Sequence, residues 1–221
     1  MSSDLIMCIS LLMIVTSFVA MEWRNLPGAI YTYQLQSVLI ALILALYAYS
    51  LSNYYLYVWC ATVLASKGII LPWLLRRYVA KVHSEEVPPL LSATPSVLLG
   101  LLAALPAFCW VFVHYDKLVI SPNLAGEPFR MNLAVAAAIL VIGFYTLLTR
   151  RDAFKVVIGL CLLENAVHLS LVSLAPFIPD TALIGVVTDV VISVWMLLYI
   201  VAGVYRSLGS VDTFSLSKLR G

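Results

Sequence analysis

Seven apolar runs dominate this sequence, near residues 4–21, 29–50, 54–75, 97–115, 131–149, 154–175 and 181–204. Each is long enough to cross the roughly 30 Å of hydrocarbon in a bilayer. No water serves the backbone there, so every run has to satisfy its own amides by folding as a helix. The 63% hydrophobic content, against 11% charged, is more apolar surface than one soluble core of 221 residues hides. The expected fold is all-α, a membrane protein of seven transmembrane helices. A net charge of +2 is too small to point to nucleic acid.

The first run, within "MSSDLIMCISLLMIVTSFVAM", has no basic n-region and no small-residue cleavage site, so it reads as a retained helix. Lys and Arg set the orientation. Odd-numbered loops and the C-terminal tail hold Arg24, Arg76, Arg77, Lys81, Arg150, Arg151, Lys155, Arg206, Lys218 and Arg220; the opposite loops hold Lys117 and Arg130. The positive-inside rule then places the N-terminus outside and the C-terminus in the cytoplasm. Two connections are long, 76–96 and 116–130, both broken by Pro.

"FVAMEWRN" at 18–25 is similar to "FYTLLTRR" at 144–151, with polar residues partway along the next run in each case. The competing reading is chance likeness between two apolar hairpins. On the duplication reading the chain divides into a three-helix unit at 1–75, a middle part at 76–130 and a second three-helix unit with its tail at 131–221.

Chemistry has few places to reside. Cys8, Cys60, Cys109 and Cys161 all lie in apolar runs with no CxxC pair, so they read as packing residues and no metal site is expected. No phosphate-binding Gly loop, nucleophile–His–acid set or haem ligand pair stands out, so no catalytic centre is expected in this chain. The aromatic groups "NYYLYVW", "WLLRRY" and "WVFVHY" read as interfacial belts, with His114 an anchor in the last; His83 reads as solvated.

Three charged residues lie well inside the runs, away from their ends: Lys67, Glu164 and Asp189. Each costs about 2.5–3.5 kcal/mol at a helix centre on insertion scales, so each needs a reason to be there. Cys161, Glu164, Asn165 and His168 fall on one helical stripe, and Gly185, Asp189 and Ser193 on another. Glu164 and Asp189 come to similar depth on adjacent antiparallel helices. Two unit charges about 6 Å apart interact by about 2.8 kcal/mol at an effective dielectric near 20, enough for proton occupancy at one to depend on the other. The candidate proton-transfer residues are therefore Lys67, Glu164, His168 and Asp189. Asn165, Ser193 and Gln34 are the supporting polar groups, and His168 extends the path toward the outside. The structural alternatives are a protonated carboxyl joining two helices, Lys67 snorkelling to the inner surface, and His168 as a packing residue.

The stretches "LLTRRDAFKVVIGLCLLENAVHL", "VVTDVVISVWMLLYI" and "VDTFSLSKLRG" resemble the three-helix K subunit of respiratory complex I, over residues 131–221. With Lys67 and the "LLEN" element included, the whole chain resembles the hydrogenase-4 component E family. That resemblance implies a non-catalytic membrane-arm subunit of a group 4 [NiFe]-hydrogenase of the formate hydrogenlyase type, in a prokaryotic plasma membrane. It implies antiporter-like and other membrane-arm subunits, a peripheral hydrogenase arm and lipid as partners. The NiFe centre and iron–sulfur clusters would sit in those partner subunits, with no cofactor in this chain. Two departures accompany it. The K subunit's second-helix glutamate falls at Cys161 here, one turn before Glu164, and its third-helix acid is matched by the shorter Asp189. The alternative functions are a free-standing transporter or cation/proton antiporter component, and a purely structural connector. A retinal protein fits poorly, because Lys67 lies in the third run.

Overall fold

The computed structural model describes residues 2–23, 25–81, 92–119, 126–176 and 180–208. They form α1 (Ser2–Glu22), α2 (Leu26–Leu51), α3 (Tyr54–Val63), a π-helical segment (Leu64–Ile70), α4 (Leu71–Lys81), α5 (Ala93–Leu118), α6 (Glu127–Thr149), α7 (Ala153–Leu174) and α8 (Asp180–Leu208). No strand occurs among the described residues. The helix runs unbroken from α3 through the π segment into α4, so the helices number seven when this composite is counted once. Six are long and apolar enough to cross a membrane, the composite over Tyr54–Ala80 included. In α8 the described apolar stretch is Val194–Gly203.

Local chemistry explains the turns. Ser52 takes a left-handed backbone (φ 50°) and returns its N–H to the Ala48 carbonyl, which ends α2. Asn53 then caps α3 by accepting from Tyr55 N at 3.1 Å, and its amide donates to the Pro176 carbonyl. Asp152 caps α7 in the same way, accepting from Phe154 N at 2.8 Å. Pro27 and Pro128 lie in the first turns of α2 and α6, where no backbone N–H is required.

The helices overrun the apolar runs at several ends. The 76–96 connection is helical through Lys81 and again from Ala93, and the 116–130 connection is helical to Leu118 and from Glu127. Hydropathy marks where lipid ends; backbone hydrogen bonding continues until a cap or a Pro/Gly break stops it.

Packing centres on α1, α2, α6 and α7. The α6–α7 approach is close because Gly143 faces Leu163: a Cβ there would stand 3.1 Å from the Leu163 amide nitrogen and 2.8 Å from its Cδ2. Gly159 meets Thr146 in the same seam. α5 lies on α6 through the small residues Ser96, Gly100 and Ala104 and leaves Leu98, Leu101, Leu102 and Leu105 exposed. α8 covers α4 and α7, with Val194, Leu198 and Val201 against Leu71, Leu75, Phe154 and Val157.

One end of the bundle is tied by charge. Arg150 pairs with Glu22 and donates to Ser96 Oγ at 3.1 Å, joining α1, α5 and α6. Lys155 is buried and points its ammonium at the last carbonyls of α1: Ala20, Met21 (3.3 Å) and Trp23. That is where the negative end of the helix dipole lies. These two basic residues, read in the sequence as loop charges, brace the bundle. Replacing Gly143 by Val is expected to destabilise the fold by about 1–3 kcal/mol, because the branched side chain would meet backbone. Thermal unfolding of the detergent-purified protein measures it.

Candidate functional site

Lys67 stands at the midpoint of Tyr54–Ala80 and Glu164 at the middle of Ala153–Leu174. The Lys67 ammonium is fully buried, lies 3.6 Å from Glu164 Oε2 and donates to Asn165 Oδ1 at 3.1 Å. Glu164 keeps 15% of its side chain exposed, but both carboxyl oxygens are buried, so the part that reaches the surface is the stem. The snorkelling alternative does not hold for Lys67, which turns inward. At 3.6 Å two unit charges attract by roughly 5 kcal/mol at an effective dielectric near 20, against the ~5–7 kcal/mol needed to place both at helix centres. Neither charge is tolerable there alone.

The backbone around Lys67 is specialised. It lies in the middle of the π segment, whose geometry shows in Leu71 N–H reaching back five residues to Ser66 O. Pro72 follows one turn later. It has no N–H to return to the Gly68 carbonyl, and that carbonyl accepts instead from Gln34 Nε2 at 2.9 Å. Gln34 Oε1 in turn accepts from the Arg76 guanidinium at 2.5 Å. Gln34 thus supports the turn that carries Lys67 rather than touching the lysine. Toward the Arg150 end of the bundle, this leads to Arg76, which is exposed.

A buried hydrogen-bond chain runs the other way from the lysine, across the bundle. Asn165 Nδ2 donates to Gln36 Oε1 at 3.0 Å, Gln36 Nε2 donates to Ser17 Oγ at 2.6 Å, and Ser17 donates to the Met13 carbonyl at 2.7 Å. Gln36, Asn165 and Ser17 are all fully buried. Four helices meet through it: the α3–α4 composite, α7, α2 and α1. Asn165, expected from sequence as a supporting polar group, supports the lysine by accepting from it. Cys161 and Tyr33, both buried, interact electrostatically with Glu164.

His168 lies one turn further along α7, 1% exposed. Its Nδ1 accepts from Trp59 Nε1 at 3.0 Å, and its Nε2 is buried with no hydrogen-bond partner. Trp59 is 1% exposed, so it is a core residue and not part of an interfacial belt. Asp189 and Ser193 belong to α8, but their side chains lie outside the described residues. Among the described residues no three His, Cys, Asp or Glu side chains gather as a metal site.

The structure therefore brings Lys67, Glu164 and Asn165 together, sets His168 beside them on Trp59, and puts Gln34 under the π turn. Sequence reasoning missed Ser17, Gln36 and Trp59 as members of the site. Trp59, Val63 and Lys67 recur at i, i+4, i+8, which marks Trp59 as sharing the lysine's face.

Residues 131–221 match the family described as NADH-ubiquinone/plastoquinone oxidoreductase chain 4L. The hydrogenase-4 component E of Escherichia coli K12 is 26% identical over 210 residues, covering 95% of this chain and 94% of that protein. The NAD(P)H-quinone oxidoreductase subunit 4L of a Nostoc species is 35% identical over 89 residues, 38% of this chain and 88% of its own. A Synechococcus subunit 4L is 32% identical over 98 residues, 40% of this chain and 92% of its own. No solved structure matches this chain at a comparable significance.

Breaking a buried ion pair from one side strands the other charge and costs about 3–5 kcal/mol, and here both the ammonium and the carboxyl oxygens are buried. Lys67→Met is expected to lower the unfolding temperature, and Lys67→Met with Glu164→Gln to recover most of the loss. Thermal unfolding of the three purified proteins reads the comparison.

Proposed function

We propose that this chain, which belongs through residues 131–221 to the NADH-ubiquinone/plastoquinone oxidoreductase chain 4L family, works as a non-catalytic membrane-arm subunit of a complex-I-like [NiFe]-hydrogenase of the formate hydrogenlyase type. It is a multi-pass protein of a bacterial inner membrane. The full-length likeness to hydrogenase-4 component E supports the hydrogenase assignment. The redox centres reside in partner subunits, and antiporter-like membrane subunits and a peripheral hydrogenase arm are its neighbours. The N-terminus faces outward and the Arg150 end of the bundle lies at the cytoplasmic surface, in line with the positive-inside rule.

One observation carries the functional reading: Lys67 and Glu164, 3.6 Å apart at the centres of their spans. The pair has two closely related forms, ammonium with carboxylate and amine with carboxylic acid, which differ by the position of one proton. In a low-dielectric setting the balance between them follows any charge that changes nearby. Glu164 is the member that takes up or releases the proton, with both carboxyl oxygens buried inside the bundle. Asn165 holds the lysine in place, and Gln36 and Ser17 hold Asn165. Asp189 is a second carboxyl for the same path on α8.

The connector reading draws on the same network, since it fastens four helices together. Glu164→Gln separates the two. The variant is expected to assemble into the complex while protons moved per electron pair fall roughly tenfold or more, the scale of losing a positioned acid–base group. Lys67→Ala is expected to weaken coupling by a similar factor at normal expression. Proton uptake by inverted vesicles, alongside hydrogen evolution, measures both. Wild-type coupling in an assembled Glu164→Gln complex would leave the connector role.

A further inference from the structure

His168 raises a chemical question that its neighbours answer. An imidazole passes a proton along by accepting at one nitrogen and giving up the proton at the other. The group at Nδ1 therefore has to be able to accept. Here that group is the indole of Trp59, 3.0 Å away, and an indole N–H only donates. Nδ1 is thereby the acceptor, and the ring carries its single hydrogen on Nε2. With a hydrogen already on Nε2, that nitrogen cannot take a second proton, and the Nδ1 lone pair, the one place left to accept, is held by the indole N–H.

Among the described residues, apolar packing lies in the same direction. Beyond the His168–Trp59 pair, toward the end of the bundle marked by Ser52, lie Leu56 on α3 and Leu169 and Val172 on α7, each at most 1% exposed. They belong to one apolar cluster with Trp59 itself. On the opposite side of the lysine the polar groups continue to Gln34 and the exposed Arg76. Among the described residues, apolar side chains thus lie on the Ser52 side of the pair and polar ones on the Arg76 side.

We infer that the Trp59–His168 pair is a proton stop that insulates the Lys67–Glu164 site from the outer face, with Trp59 the positioning residue that holds His168 in its non-relaying tautomer. It puts a stop where the sequence reading had His168 extend the path outward, and it rests on the reading of Lys67 and Glu164 as a proton-handling pair. The stop keeps protons at the pair from crossing along α7.

Two measurements on the assembled complex test this. Nitrogen-15 NMR of labelled histidine, with the His168→Leu complex identifying the signal, is expected to show His168 protonated at Nε2 and bare at Nδ1; a proton on Nδ1 would overturn the inference. Passive proton leak is then read in de-energised vesicles. Trp59→Phe removes the donor, frees Nδ1 to take a proton, and is expected to raise the leak roughly tenfold, the scale of one lost hydrogen bond. Adding His168→Leu to Trp59→Phe is expected to abolish the extra leak, because the ring that carries it is gone. An assembled Trp59→Phe complex as tight as wild type, or a leak that survives loss of His168, would refute the stop. If Trp59→Phe fails to assemble, Trp59→Tyr serves in the same comparison, since its hydroxyl both donates and accepts. Failure of the pair's own role shows up elsewhere, as undiminished coupling in Glu164→Gln.

Discussion

The attraction between one ammonium and one carboxylate at the centre of the bundle decides much of what surrounds it. A charge in hydrocarbon has to find a partner or give up its proton. Lys67 and Glu164 find each other across α7 and the π segment. To present the lysine there, the third span departs from α-helical winding over seven residues. Pro72 leaves the Gly68 carbonyl without its helical donor, and Gln34 supplies one from α2. To keep the lysine there, Asn165, Gln36 and Ser17 form a line in which each amide both donates and accepts. Such a network is stable only when complete, because an unpaired member in this setting costs more than the bond it lost.

The two ends of the pair come from different parts of the chain. Glu164, Asn165 and His168 lie within the residues that match the chain 4L family, whereas Lys67, Gln36, Ser17 and Trp59 lie before them. The N-terminal helices thus bring a cation, its support and a closing aromatic to a carboxyl-bearing unit. Close packing of α6 on α7, set by Gly143 and Gly159, holds that unit rigid. The Glu22–Arg150 pair and the Lys155 cap fasten α1 to it at one end.

Much of this was legible in the sequence, for reasons specific to membranes. Lipid leaves helix as the one open backbone solution, so run length alone located the helices. Buried charge is rare enough in lipid that Lys67 and Glu164 stood out individually. What was illegible depended on partners far apart in the chain. Nothing local distinguishes Gln36 from Gln34, yet one joins the lysine's network and the other braces its turn. Trp59 looked like an interfacial aromatic because it lies six residues from Asn53, where the span begins; its burial follows from facing α7. Arg150 and Lys155 looked like loop charges because their acceptors, Glu22 and the end of α1, lie more than a hundred residues away. The π segment had its signal in Lys67-Gly68 followed by Pro72, though only the fold shows which carbonyl is released.

The account rests on Glu164 changing its proton occupancy as the complex works. Infrared difference spectroscopy of the intact complex during turnover reads this directly. The account predicts a carboxylic acid C=O band that appears or vanishes on turnover and is missing from the Glu164→Gln protein. A turnover spectrum with the same carboxyl bands in both proteins would contradict it.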